Sequence, residues 1–238
     1  MGTILVTGAR GVIGSALVSR LGEHRLRLAD LPESDLRDPR VARQAALGCD
    51  RVVHLAWNTK DENHLNDGLC LDNAQMIFNM LSASLDAGVP RFVFASSVHA
   101  HAFAPPVSAL AEFPPALAGM DAERAPLPDS PYGASKLFGE AMCRWAATRG
   151  LETVSIRFGG VNARDVPPEN DPVERSVWLS QRDCAAVVEA ALEARLERGF
   201  TTLTAVSNNA GRVHALDNEL GWVPRDGAHE EPESADAR

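Results

Sequence analysis

Short apolar runs alternate along this chain with segments whose apolar residues recur at helical spacing. Thr3 to Thr7 is apolar and rich in β-branched residues, which predicts a buried strand, and the spacing in residues 12–22 predicts a helix. The same criteria predict strands at 25–30, 51–56, 92–96, 153–157 and 200–206, and helices at about 69–88, 131–149 and 182–198. Strands that alternate with helices predict an α/β fold: a Rossmann-like doubly wound parallel sheet with helices on both faces.

Two stretches, residues 103–130 and 163–175, contain several prolines. Their apolar residues follow neither the spacing of a helix nor that of a strand. Each follows a predicted strand, and ligands of open parallel sheets bind at the carboxyl ends of strands, so both are candidate walls of a substrate pocket. Variable surface loops are an equally good interpretation. We predict a cofactor-binding core at 1–160, a small C-terminal substrate-binding portion of the same domain at 161–225, and a disordered acidic tail at 226–238.

The composition of the 238 residues narrows the classes of function. A formal net charge of −9 argues against binding to DNA or RNA. The four cysteines lie far apart without the spacing of a zinc site, so we expect reduced cysteines and no metal. No apolar run reaches the length of a membrane span, and a strand that begins near residue 3 leaves no room for a signal peptide, so we expect a cytoplasmic protein.

A glycine-rich turn follows the first predicted strand and opens the first predicted helix, with the spacing T-G-x-x-G-x-x-G. Gly8 permits a tight turn, Gly11 lets the backbone approach a pyrophosphate, and Gly14 lets the helix lie close to the sheet. The N–H groups at the helix start would bind the anion. A dinucleotide site is therefore predicted, with a purely structural turn as the alternative. The predicted contacts in the turn are Gly8, Arg10, Gly11, Val12, Ile13 and Gly14.

Asp30 ends the second predicted strand, sixteen residues after Gly14. A carboxylate at this point accepts hydrogen bonds from the ribose hydroxyls of an adenosine and repels a 2′-phosphate, so NAD is favoured over NADP as the cofactor. Arg10 lies in the turn and is the residue that would favour NADP instead. Asp35 and Leu36 are candidates for contact with the adenine, with a solvated loop acid as the alternative for Asp35.

The single tyrosine of the chain, Tyr132, lies four residues before Lys136, which is one of two lysines against 21 arginines. Side chains at i and i+4 of a helix point the same way. A phenol can act as an acid or a base if a neighbouring ammonium lowers its pKa from about 10. Arginine would be a poor replacement for the lysine, because its planar fork is not a compact point charge. The pair predicts a proton-transfer site.

Four features, in this order, resemble the extended short-chain dehydrogenase/reductases, a family that includes nucleotide-sugar epimerases and dehydratases. They are the glycine turn at 7–14, Asp30, the strand end at 94–97 (FASS) and the Tyr132-x-x-x-Lys136 pair. Within this family the chain is most similar to the uronate dehydrogenases, which oxidise the anomeric carbon of a hexuronic acid and reduce NAD. The similarity continues in Leu28-Ala29-Asp30, Arg157-x-Gly159, Trp178-x-Ser180 and Leu220-Gly221-Trp222-x-Pro224.

The resemblance implies a role for each residue that matches the pattern. Ser97 would bind the substrate oxygen, Tyr132 would transfer its proton, and Lys136 would bind the nicotinamide ribose and lower the pKa of the tyrosine. Family members often pair through the helices at about 69–88 and 131–149, which implies a homodimer. The remaining cofactor contacts implied by the resemblance are Leu55, Ala56, Asn73, Phe158 and Gly159.

Several positions near the substrate depart from the uronate dehydrogenase pattern. Val98 replaces an asparagine after the catalytic serine, and Gly160 replaces a serine near the pocket. Arg175 is the candidate for binding a uronate carboxylate, although the spacing around it differs. Dehydrogenase activity would be retained with these changes, whereas a preference for uronate need not be. Further candidates for substrate contact are Trp57, Asn58 and His99, with packing at the cleft mouth as the alternative.

The leading hypothesis is an NAD-dependent oxidoreductase that transfers a hydride between the nicotinamide and a hydroxyl or ketone of a small, cyclic, sugar-like molecule. A ketone reductase that tailors a nucleoside or cyclitol, a nucleotide-sugar epimerase or dehydratase, and a non-catalytic NAD sensor are the alternatives. An epimerase needs room for a nucleotide-sugar, and only about 80 residues follow the strand of Arg157. A sensor commonly loses the tyrosine–lysine pair, which this chain retains.

Overall fold

The computed structural model describes residues 2–59, 68–101, 126 and 128–229. Within these residues one sheet of six parallel strands has the order β2-β1-β3-β4-β5-β6. The strands are β1 (Thr3–Thr7), β2 (Arg25–Ala29), β3 (Arg51–His54), β4 (Arg91–Ser97), β5 (Glu152–Phe158) and β6 (Phe200–Ala205). The helices are α1 (Val12–Arg20), α2 (Pro39–Ala46), α3 (Leu71–Asp86), α4 (Pro131–Ala147), α5 (Pro172–Ser176) and α6 (Gln181–Glu193), with a 3-10 turn at Val98–His101. No helix in this part of the chain is both long and apolar enough to cross a bilayer.

The order of the strands reverses at β1, which pairs with β2 on one side and with β3 on the other. In doubly wound sheets, ligands bind at the carboxyl ends of the strands beside such a switch point. The glycine turn leaves the carboxyl end of β1. Ser97, which ends β4, lies in register with Phe158, which ends β5. The sheet therefore brings the glycine turn and Ser97 to the same edge.

Apolar side chains are buried on both faces of the sheet, as is typical of parallel sheets covered by helices. On one face, Ile4 of β1 belongs to the same buried cluster as Leu17 of α1 and Val188 of α6. On the other face, Phe92 of β4 is buried in a cluster with Met80 of α3. The predicted α/β sheet with helices on both faces is therefore confirmed.

The apolar pattern did not predict α2 and α5. Asp38 caps α2 by accepting a hydrogen bond from the amide of Arg40, and Pro39 occupies the first turn. Asp171 caps α5 in the same way, inside the stretch 163–175 that showed no periodicity. The two helices have eight and five residues, which is too short for a clear period of 3.6. The capping residues Asp38 and Asp171 were the sequence features that could have indicated these two helices.

The C-terminal tail was predicted to be disordered from residue 226, and this boundary lies too early in the chain. The carbonyl oxygens of Asp226 and Ala228 accept backbone hydrogen bonds of 2.7 and 3.0 Å, and Ala228 is buried. Residues 226–229 therefore dock on the domain, because their backbone finds partners there. Residues 230–238, like most of the predicted loop at 103–130, lie outside the described residues.

Candidate active site

A cleft of about 780 Å³ opens at the carboxyl edge of the sheet, beside the switch point. This volume is in the range of roughly 300–1,000 Å³ that is typical of ligand and cofactor sites. Most of the predicted cofactor contacts line it: Gly8, Gly11, Val12, Ile13, Gly14, Asp30, Asp35, Leu36, Leu55, Ala56, Tyr132, Lys136, Phe158 and Gly159. The predicted substrate contacts Trp57, Asn58 and Ser97 also line it. Lining residues that the sequence did not single out include Ser34, Arg37, Thr59, Asp72 and Met76.

The glycine turn has the close backbone approach that a pyrophosphate needs. Gly8 has a φ of +66°, in the left-handed region that favours glycine. A Cβ at Gly14 would lie 2.4 Å from the carbonyl oxygen of Gly8, so only glycine lets α1 begin this close to the turn. Gly11 is the N-cap residue of α1, and no described side chain caps the helix. The N–H groups of the first turn therefore fit the phosphates of NAD.

Asp30 lies at the end of β2, where the backbone holds its carboxylate in place. The amides of Arg10 and Leu31 donate to its two oxygens at 2.7 and 2.8 Å. The guanidinium of Arg10 forms an ion pair of 2.9 Å with Glu33, and Arg10 is not among the described residues that line the cleft. A fixed carboxylate in the cleft and an engaged arginine beside it favour a ribose with a free 2′-hydroxyl, as in NAD.

Ser97, Tyr132 and Lys136 meet at one end of this cleft. Ser97 and Tyr132 both line the cleft, and the hydroxyl of Ser97 acts on the phenol in the direction that favours its ionised form. The Nζ of Lys136 donates to the carbonyl oxygen of Ala95 at 2.7 Å and lies 4.2 Å from the centroid of the Trp57 ring. The structure thus brings the three predicted residues together, and their catalytic roles stay predictions.

The pKa values of the tyrosine and the lysine differ from what their spacing led us to expect. Burial raises the pKa of Tyr132 to about 12; the hydroxyl of Ser97 opposes this shift and the carboxylate of Asp129 adds to it. Burial lowers the pKa of the Lys136 ammonium to about 7, against the effect of Glu140. The expected net lowering of the tyrosine pKa is wrong for these residues on their own, because desolvation and the carboxylate of Asp129 both raise it.

A buried ionic network lies beneath Lys136 and was not predicted. Glu140 accepts hydrogen bonds from Arg157 at 2.8 and 2.9 Å and from the hydroxyl of Ser96 at 2.6 Å. Nη1 of Arg157 lies 2.9 Å from Nδ1 of His101. The network joins α4 to β4 and β5 beneath the predicted catalytic residues. Its one sequence signal was the position of Glu140, four residues after Lys136 on the same helix face.

Asn73, predicted to contact the cofactor, is buried behind the cleft wall. Its Oδ1 accepts from the amide of Asn58 at 2.7 Å, and its Nδ2 donates to the carbonyl oxygen of Asn58 at 3.2 Å. Asn58 lines the cleft, whereas Asn73 does not. Asn73 therefore fixes the segment after β3 that presents Trp57 and Asn58.

Two predicted substrate contacts are corrected by the structure. Val98 is buried in an apolar cluster with two other valines, so its side chain faces the interior. The guanidinium of Arg175 donates to the carbonyl oxygens of Pro168, at 3.3 Å, and of His229. These backbone acceptors hold Arg175 against the C-terminal segment and away from the described lining of the cleft.

His99 lies beside Tyr132, whereas Gly160 lies beside Glu174. The ring of His99 meets that of Tyr132 edge-on, with centroids 5.6 Å apart, and its Nδ1 lies 3.0 Å from both carboxylate oxygens of Asp129. A Cβ at Gly160 would lie 3.6 Å from Oε2 of Glu174. Asp129 and Glu174 were missed because both lie in stretches without periodicity. Only their closeness in sequence to Tyr132 and Arg175 pointed to them.

A doubly wound sheet, a pyrophosphate turn, an acid on the adenosine side and a serine–tyrosine–lysine set define a dinucleotide-dependent enzyme of the short-chain dehydrogenase/reductase class. The model of the NAD-dependent epimerase/dehydratase family matches residues 4–175, and the chain belongs to this family. The resemblance seen in the sequence is thereby confirmed, together with NAD as the cofactor of the family.

The similarity to individual relatives covers nearly the whole chain. L-arabinose 1-dehydrogenase (NAD(P)(+)) of Haloferax volcanii is 34% identical over 95% of this chain and 97% of its own. Uronate dehydrogenase of Agrobacterium fabrum is 31% identical over 96% of this chain and 86% of its own. The crystal structure of a tyrosine-to-alanine mutant of uronate dehydrogenase from Agrobacterium tumefaciens, complexed with NAD, has a TM-score of 0.78 at 28% identity and covers 96% and 86% of the two chains. The predicted likeness to uronate dehydrogenases is confirmed.

Proposed function

We propose that this protein is an NAD-dependent oxidoreductase that transfers a hydride between the nicotinamide and a hydroxyl-bearing carbon of a cyclic, sugar-like substrate, as uronate dehydrogenases do. One observation carries the proposal: Tyr132 and Ser97 line the same cleft as the glycine turn and Asp30. The similarity to two sugar dehydrogenases over nearly the whole chain supports the substrate class.

The cofactor supplies the chemistry of hydride transfer, and the residues of the chain manage the proton. Ser97 orients the substrate oxygen through its hydroxyl. Tyr132 as a phenolate accepts the hydroxyl proton in oxidation, and as a phenol it returns that proton in reduction. Lys136 places a cation behind the phenolate, and the positive charge of an oxidised nicotinamide acts in the same direction, against the effect of burial.

Incubation of the protein with NAD and a panel of aldoses, uronic acids and cyclitols is expected to produce NADH, followed by its absorbance. NADP is expected to react more slowly, because its 2′-phosphate would meet the carboxylate of Asp30. Calorimetry should show that NAD binds to the protein in the absence of a substrate. Binding of NAD without turnover of any alcohol or ketone would favour a sensor and remove the proposed activity.

We further propose a homodimer formed through α3 and α4. These helices lie side by side and expose Leu71, Phe78 and Phe138 by 71%, 45% and 44%. Phe78 contacts Trp145 of α4, with ring centroids 6.3 Å apart, so the apolar side chains of both helices form one face. Contiguous apolar faces of this kind mark protein–protein interfaces.

Phe138→Glu is expected to convert the dimer into a monomer, because an unpaired carboxylate in an apolar interface is strongly disfavoured. Sedimentation velocity over a range of concentrations measures the change. Val223→Glu is the control: this side chain is 73% exposed in the C-terminal portion, and its replacement should leave the dimer intact. A wild-type protein that sediments as a monomer at every concentration would contradict the proposed interface.

We also propose a cytoplasmic protein without a nucleic-acid partner. The net charge of −9 would repel a polyanion, and Cys49, Cys70, Cys143 and Cys184 are all free. Free thiols are typical of a reducing compartment. Recovery of the native protein in an extracellular or periplasmic fraction would contradict this location.

A further inference from the structure

The local fold places the carboxylate of Glu174 beside Gly160, which follows the end of β5. Glu174 is exposed and lies outside the described lining of the cleft. Asp171 caps α5 by accepting hydrogen bonds from the amides of Val173 and Glu174 at 2.9 and 3.0 Å. The segment after α5 is tied to the end of β5, since Gly160 donates to the carbonyl oxygen of Val177 at 2.9 Å and accepts from Leu179 at 3.0 Å. The orientation of α5 over Gly160 is thereby fixed.

Glu174 lies next to the strand end that borders the cleft. Its Oε2 would be 3.6 Å from a Cβ at Gly160, directly after Gly159 of the cleft wall. The charge of His99 acts on Glu174, and His99 contacts the ring of Tyr132. A substrate that is bound at Tyr132 and reaches past Gly159 would meet Glu174.

The charges around this position are mainly negative. Asp129 pairs with His99 at 3.0 Å, and Glu174 has no hydrogen-bond donor among the described residues. Burial raises the pKa of Glu174, Asp171 adds to this shift, and His99 opposes it. Arg175, the candidate partner of a uronate carboxylate, is turned to backbone carbonyl oxygens.

We propose that Glu174 selects uncharged sugars, whose hydroxyls donate hydrogen bonds to its carboxylate, and rejects hexuronic acids through repulsion of their carboxylate. This inference rests on the proposed dehydrogenase function and goes beyond it, since it assigns the substrate class to neutral aldoses and the selection to one residue. Two like unit charges about 4 Å apart disfavour binding by roughly fivefold in water.

The test compares matched substrates that differ in one group: D-galactose with D-galacturonate, and D-glucose with D-glucuronate, with L-arabinose added. Wild-type kcat/KM is expected to favour the neutral member of a pair by at least about fivefold. Glu174→Gln should reduce this ratio by at least about fivefold, and Glu174→Asp, which keeps the charge, should retain most of it. Glu169→Gln is the control, because it removes one exposed carboxylate from the same loop and should leave the ratio unchanged.

A second measurement is independent of turnover. Calorimetric titration of the two sugars of a pair into Tyr132→Phe loaded with NAD should show the same preference. A wild-type preference for uronates, or a ratio that Glu174→Gln leaves unchanged, overturns the role of Glu174 and leaves the dehydrogenase intact. Absence of NADH formation with every sugar, neutral or acidic, removes the proposed function and this inference with it.

Discussion

Tyr132→Phe is expected to lower kcat for sugar oxidation by about 10²- to 10⁴-fold, the usual contribution of a positioned acid or base. The substitution removes the phenol oxygen on which Ser97 acts and keeps the ring that packs against His99. Affinity for NAD, measured by calorimetry, should change little, because the glycine turn and Asp30 are untouched.

The wild-type protein should show a pH dependence that this variant lacks. Burial raises the pKa of Tyr132 to about 12, so the phenol is protonated at neutral pH and the phenolate fraction grows as pH rises. The rate of oxidation should therefore increase with pH in the wild type and be flat in Tyr132→Phe. Thr148→Ala removes a hydroxyl from the other end of α4 and is the control. Full activity in Tyr132→Phe would remove this residue from the mechanism.

Glu140→Ala is expected to lower the free energy of unfolding by about 3–5 kcal/mol, since it leaves a buried guanidinium without its counter-charge. Arg157 is 1% exposed, and Glu140 accepts two hydrogen bonds from it. The hydroxyl of Ser96 loses its acceptor as well. Urea denaturation followed by circular dichroism measures the loss.

A surface ion pair provides the comparison for this result. Glu193→Ala breaks the pair of 3.0 Å with Arg51, and the exposed glutamate should contribute less than about 1 kcal/mol. Replacing both Glu140 and Arg157 by leucine should restore part of the stability, because no charge is then left buried alone. A loss below about 1 kcal/mol for Glu140→Ala would show that the buried pair does not stabilise the fold.

The sequence was sufficient to predict features whose geometry depends only on residues close together in the chain. The apolar runs of β1 and β4 predict buried strands, and the glycine spacing places Gly8, Gly11 and Gly14 around one turn. Tyr132 and Lys136 share a helix face because four residues are about one turn, whatever the rest of the fold. The short helices α2 and α5 were missed, because five or eight residues carry too little periodicity.

By itself, then, the sequence determined the class of fold and the glycine turn, and it predicted Asp30 as the acid for the adenosine ribose and Tyr132 with Lys136 as the proton-transfer pair. Only the tertiary structure decided the pKa of Tyr132, the pairing of Glu140 with Arg157, the diversion of Arg175 to backbone carbonyls and the place of Glu174 beside Gly160. The physical reason is the separation along the chain of the residues that interact. Turns and helix faces follow from neighbours in the chain, whereas desolvation and ion pairing depend on residues that the fold brings together from far apart.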